Sequence, residues 1–138
     1  MRWMGLDLGE KTIGIAVSDP FGWTAQAVEV IRRQSFEKDV SRIEELTRIY
    51  EVEEYVLGLP LNMNGSFGPK AQYCKEFSER LKDRTHCNVH LVDERLTTAA
   101  AQRMMIEADV SRVKRKKKID QVAAALILQT FLDARPKG

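Results

Sequence analysis

Three carboxylate positions carry the chemistry this 138-residue chain could do: Asp7, the adjacent pair Asp93 and Glu94, and Asp120. Asp7 lies on the strand face opposite Met4, Leu6 and Leu8, at a mid-strand position where aspartate is disfavoured. It shares its strand face with Gly5, and the next segment offers Gly14 and Ala16 on the matching face. Small residues there predict a bare surface on which a ligand comes close. Asp93 and Glu94 close a later strand, and because neighbouring strand residues face opposite ways, only one of them can point toward Asp7. Asp120 opens the last helix, ahead of Ala123, Ala124 and Ala125, which would let that helix lie close to the sheet. Its simpler reading is a partner for the helix dipole. Carboxylates from separate segments form a hard-oxygen set that suits Mg²⁺ or Mn²⁺. Two such ions can activate water and stabilise the leaving oxygen of a phosphodiester.

The charge distribution points to the same kind of substrate. The chain has 22 basic and 20 acidic residues, but Ser111 to Lys118 holds six of the basic ones and no acid. Without that segment 16 basic residues face 20 acidic ones. Arg112, Lys114, Arg115, Lys116, Lys117 and Lys118 are therefore expected to meet a phosphate backbone, a solvated surface run being the plain alternative. Lys11 and Lys118 lie next to Asp7 and Asp120 in sequence and could reach phosphate too.

The elements that must position these groups are legible in outline. Residues 2–8 and Thr12 to Ser18 alternate as two strands joined at Gly9-Glu10-Lys11, and a weaker strand follows around Ala27 to Ile31. Phe36, Val40, Ile43, Leu46 and Tyr50 mark an amphipathic helix with Ser35 as its N-cap. Glu54 to Leu59 reads as a central strand, apolar on both faces. A turn-rich loop, Pro60 to Gly68, leads to a helix that starts at Pro69 and buries Ala71, Cys74, Phe77 and Leu81. The loop's small and amide-bearing side chains, Asn62 and Asn64 among them, suggest a mobile segment touching substrate near a helix N-terminus. Asn88 to Val92 is the last strand. A helix from Thr97 or Thr98 to about Ala108, the basic segment as a loop, and a helix from Lys118 to about Ala134 complete the chain. The order β-β-β-α-β-α-β-α-α implies an α/β fold, a mixed five-stranded sheet flanked by helices, in one domain spanning residues 1–138.

Gly5-Leu6-Asp7-Leu8-Gly9-Glu10-Lys11-Thr12 through Asp19 resembles the opening of the YqgF/RuvX family. Gly58-Leu59-Pro60-Leu61-Asn62-Met63-Asn64-Gly65, Asp93-Glu94-Arg95-Leu96-Thr97-Thr98 and the basic run ending in Ile119-Asp120 resemble that family in the same order. The resemblance implies an RNase H-like fold and a metal-dependent nuclease with Asp7, Glu94 and Asp120 as catalytic and Mg²⁺- or Mn²⁺-binding acids. The strand after the first helix ends Gly58-Leu59-Pro60 with no acid, so the second carboxylate falls one strand later, on Glu94. Arg95 joins Lys11, Asn62, Asn64 and the basic run as expected nucleic-acid contacts. The implied substrates are structured RNA, above all the 5′ end of pre-16S rRNA in ribosome biogenesis, or branched DNA as for a Holliday junction resolvase. Ribosomal particles are implied partners, and the chain is expected to be a monomer or weak homodimer.

Other classes are constrained by the same residues. The longest apolar run, Val122 to Leu128, is seven residues against the roughly 20 a membrane span needs. Asp7 also interrupts the N-terminus where a signal peptide would be apolar, so a cytoplasmic location without a membrane partner is expected. Cys74 and Cys87 lack metal-ligand spacing and read as ordinary reduced thiols, and Cys87 with His90 supplies too few ligands for zinc. Asp7-x-Gly9 before a hairpin also resembles the phosphate-gripping opening of actin-type ATPases, which duplicate the unit that this chain holds once. A non-catalytic RNA-binding assembly factor is the third reading.

Overall fold

Strand β1 (Trp3–Leu8) puts Met4 and Leu6 on one face and Trp3 and Gly5 on the other, and this split organises the whole core. The computed structural model describes residues 1–95 and 112–136, the side chains of 112–121 excepted. β2 (Thr12–Ser18) runs antiparallel to β1 and pairs Asp7 with Gly14, and β3 (Ala25–Arg32) extends the meander. β4 (Glu54–Leu59) and β5 (Val89–Asp93) add in parallel on the other side, giving the order β3-β2-β1-β4-β5.

Helix α1 (Phe36–Ile49) begins where the Ser35 hydroxyl accepts from the Lys38 amide. With α2 (Pro69–Thr85) it covers the face of Met4, Leu6, Ile13 and Ile15, burying Val40, Ile43, Cys74, Phe77 and Leu81. The opposite face, with Trp3, Ala16 and Val56, is covered by α3 (Arg112–Ala134) through Ala124, Ile127, Leu128 and Leu132. α1 and α2 thus bury one face of the sheet and α3 the other, as the element order implies.

Three expectations change. β3 spans Ala25–Arg32, longer than the weak strand at Ala27 to Ile31. Its register slips from Ala16↔Ala27 to Ile15↔Glu29, so Val28 is an extra residue, and a bulge of this kind interrupts the period-two pattern by which a strand is read. The basic segment is not a loop: the backbone is helical from Arg112 onward. Lysine and arginine are good helix formers, and no glycine or proline interrupts residues 112–134. Finally, the face shared by Gly5 and Ala16 is not bare. A Cβ on Gly5 would lie 2.7 Å from the Ala124 carbonyl oxygen and 2.7 Å from the Leu128 Cβ, so the glycine admits a helix backbone rather than a ligand. The expected helix between Thr97 and Ala108 lies outside the described residues.

Candidate active site

Asp7 and Glu94 meet at the carboxyl end of the parallel strands. Asp7 is the next-to-last residue of β1, and the Glu94 amide continues the ladder beyond β5 by donating to the Leu59 carbonyl at 3.0 Å. The Glu94 side chain then turns back over β4, where its carboxyl carbon stands 3.5 Å from the position a Cβ on Gly58 would take. A side chain at 58 would also meet the Ile127 Cδ1 at 2.6 Å, so the glycine leaves room for both. Asp93 faces away: its carboxylate accepts from the Arg95 amide at 3.0 Å and from the guanidinium at 2.6 Å. The choice between the adjacent acids thus falls to Glu94, by strand alternation.

The two carboxyl groups are hydrogen-bonded, so one of them holds a proton. Burial and the adjoining Asp7 carboxylate push Glu94 up to about 8, with Lys70 opposing. The pair therefore holds one proton between its two carboxyl groups over most of the neutral range. Cys74 lies close by, and its thiol is pushed up to about 11, first by burial and then by Glu94 and Asp7. It stays a protonated, inert thiol at neutral pH.

These groups line a cleft of about 440 Å³ whose other walls include Glu10, Arg33, Lys70 and Tyr73. Arg33 donates to the Gly9 carbonyl at 2.6 Å and to the Tyr73 hydroxyl, and its amide donates to the Lys11 carbonyl at 2.9 Å. It thereby braces the β1–β2 turn directly beyond Asp7. Lys70 stands 3.9 Å from Glu10 across the cleft mouth. Sequence reading missed Arg33, Lys70 and Tyr73. The hairpin register was the available signal for Arg33, since Arg32 pairs with Thr12 and the next residue must return to the Gly9–Lys11 turn. Lys70 and Tyr73, three apart at the start of α2, share one helix face.

The remaining sequence-derived residues are placed as follows. Lys11 is exposed on the turn beside the cleft. Asn62 and Asn64 spend their amides within their own turn: Asn62 Nδ2 donates to the Ser66 hydroxyl, and Asn64 Oδ1 accepts from the Ser66 amide and hydroxyl. Arg95 also donates to the Met63 carbonyl at 3.2 Å, tying that turn to the end of β5. The segment expected to be mobile is therefore a self-bonded turn with an anchor. The side chains of Arg112, Lys114, Arg115, Lys116, Lys117, Lys118 and Asp120 lie outside the described residues. The backbone of α3 reaches position 120 four residues before Ala124, which sits against Gly5. Four helical residues advance about 6 Å and two strand residues about 7 Å, which brings that backbone level with Asp7. Among the described side chains no group of three or more His, Cys, Asp or Glu is arranged around a common point. The pair itself suits a hard divalent cation, because two carboxylates close enough to share a proton offer only oxygen and gain from a cation in the proton's place.

Solved structures with the same architecture include RuvC of T. thermophilus in complex with Holliday junction substrate, with a TM-score of 0.59, 14% identity and coverage of 98% of this chain and 96% of that one. The Holliday junction resolvase of fowlpox virus gives a TM-score of 0.57 at 17% identity, over 97% of this chain and 99% of that one. The fold is RNase H-like, with an acid pair at the carboxyl ends of its parallel strands. Curated relatives of Symbiobacterium thermophilum, 56% identical over 98% of this chain and 94% of the relative, and of Listeria monocytogenes, 56% identical over 96% and 98%, both carry the name "Putative pre-16S rRNA nuclease". The profile of the RuvX family, described as Holliday junction resolvase, matches residues 1–134, and the chain belongs to that nuclease family.

Proposed function

We propose that the chain is a divalent-metal-dependent endonuclease that trims the 5′ end of pre-16S rRNA during ribosome assembly, in the cytoplasm. The convergence of Asp7 and Glu94 within hydrogen-bonding distance carries this reading, because burying two acids against each other is costly and serves no evident packing purpose. Asp7 and Glu94 would hold Mg²⁺ or Mn²⁺, with Asp120 completing the set from α3. A bound divalent cation supplies Lewis-acid polarisation of the phosphodiester and a lowered pKa for the attacking water. Glu94 gives up its shared proton when both carboxylates serve as ligands. Lys70 stands at the cleft mouth, where positive charge offsets the repulsion between three acids and a polyanion. The names of the curated relatives support the ribosomal substrate.

The test incubates purified protein and Mg²⁺ or Mn²⁺ with a 16S-precursor 5′ leader and, in parallel, a four-way DNA junction, using Asp7→Asn protein as control. Cleavage of the leader that disappears in the variant is expected. Paired symmetric nicks in the junction instead would establish the resolvase reading, which the family description favours. Wild-type and variant protein that both bind RNA and cut neither substrate would leave a non-catalytic assembly factor.

A further inference from the structure

The cleft holds an arginine, Arg33, whose side-chain hydrogen bonds go to uncharged acceptors and whose one ion pair, to Asp39, is a long one. Elsewhere on the surface, Arg42 meets Glu29 at 2.6 Å and Glu45 at 2.9 Å, Arg84 meets Glu37 at 2.7 Å, and Arg95 meets Asp93 at 2.6 Å. Arg33 differs: its two hydrogen bonds go to uncharged acceptors, the Gly9 carbonyl and the Tyr73 hydroxyl. The Asp39 carboxylate, which is buried and already accepts from the Gln34 amide at 3.1 Å, stands 4.0 Å from the Arg33 Nε, the outer limit of an ion pair. Two of five N–H donors are thus satisfied by neutral oxygens, and the guanidinium keeps positive charge toward the cleft. Its ring contact, 5.3 Å to the Tyr73 centroid, and its bond to Gly9 hold it in a single orientation beside the turn that follows Asp7.

A planar, pre-oriented guanidinium whose hydrogen bonds go to neutral acceptors suits a phosphodiester oxygen pair. Resting on the nuclease reading above, we propose that Arg33 contacts a backbone phosphate of the nucleic-acid strand lying across Asp7 and Glu94, displacing the Tyr73 hydroxyl from one of its donors. The sequence directed attention to Lys11 and the basic run; this contact is made instead by a residue at the end of β3, and it fixes the strand's position over the acids rather than adding general attraction.

The experiment measures binding of the labelled 16S-precursor 5′ leader by fluorescence anisotropy across a KCl series, with a fixed Ca²⁺ concentration to prevent turnover. Arg33→Gln is expected to bind about tenfold more weakly, the loss of one charged hydrogen-bonded contact. Its plot of log affinity against log salt should be less steep by about one. Arg33→Lys should recover the slope and only part of the affinity, and Tyr73→Phe should keep both. An Arg33 that merely braces the β1–β2 turn would lower the thermal midpoint and leave the slope unchanged, and that result overturns the proposal. Should Arg33→Gln not fold by circular dichroism, arginine-directed modification of the wild-type chain decides. Protection of Arg33 by RNA supports the contact, and equal modification with and without RNA removes it. A wild-type chain that fails to bind RNA overturns the nuclease reading together with this one, whereas normal wild-type binding with an unchanged Arg33→Gln slope removes Arg33 alone.

Discussion

The two ends of the β4–β5 pair hold acids in opposite circumstances. At the amino end, Glu54 accepts from the Trp3 indole at 3.2 Å, the Asn88 amide at 3.2 Å and His90 at 2.9 Å. The hydrogen bond from His90, helped by those from Asn88 and Trp3, holds its carboxyl below the usual range against the effect of burial. At the carboxyl end, Glu94 is buried against a second acid and is raised to about 8. One carboxylate is surrounded by donors and ties β1, β4 and β5 together; the other is buried against a second carboxyl group. On the proposed reading, the difference separates an acid that stabilises the fold from one that would hold a cation, at some expense to stability.

The comparison breaks first at the acid pair. If Asp7 holds the metal as proposed, Asp7→Asn should lower cleavage at least about 10³-fold, since removing a ligand carboxylate costs several kcal/mol of charge stabilisation. The same variant should melt no lower than wild type in EDTA, because it relieves the repulsion on Glu94; cleavage assays and calorimetry together check both halves. Glu54→Ala should do the reverse. Loss of the indole, amide and imidazole partners should cost about 1–2 kcal/mol and lower the melting midpoint by roughly 4–8 °C, with cleavage per folded molecule unchanged. A cleavage defect in Glu54→Ala at full folding would erase the distinction between the two ends.

The two acids should also respond to pH with opposite sign. Glu54, lowered in the folded state, contributes stability that is present above its ordinary value of 4.5 and is lost as pH falls through the folded value. Glu94, raised in the folded state and facing Asp7, Cys74 and Lys70, contributes stability that is present below 4.5 and is lost as pH rises toward about 8. Metal-free protein should therefore melt lower at pH 9 than at pH 6, and Glu94→Gln should flatten that decline without altering the acid limb. A decline that persists in Glu94→Gln would assign the alkaline limb to other groups. The smallest effect belongs to Gly58→Ala. The new Cβ would push on the flexible end of Ile127 and come only into ordinary contact with Glu94, so a loss of about 1 kcal/mol is expected, with a modest fall in cleavage.

Much of this was legible in the sequence. Period-two alternation set β1 and β2, the steps of three and four set α1, and Ser35 and Pro69 marked the starts of α1 and α2 where the structure has them. Asp7 stood out because a strand interior disfavours an acid. The exceptions have local causes: the Val28 bulge weakened the signal of β3, so its ends were missed, and charge density was read as a loop where helix propensity prevails.

What the sequence determined by itself was the periodicity of the elements and the chemical oddity of Asp7, because both depend on neighbours within a few residues. It also carried the motifs that match the RuvX family along residues 1–134. Tertiary structure alone decided that Gly58 makes the room for Glu94 to turn to Asp7, and that Gly5 receives a helix instead of a ligand. It also decided that Arg33, from the far end of a hairpin, reaches the same cleft. Each of those facts depends on which strands pair and in what register, and on which helix lies across them. Such contacts join residues tens of positions apart, and no local pattern encodes them.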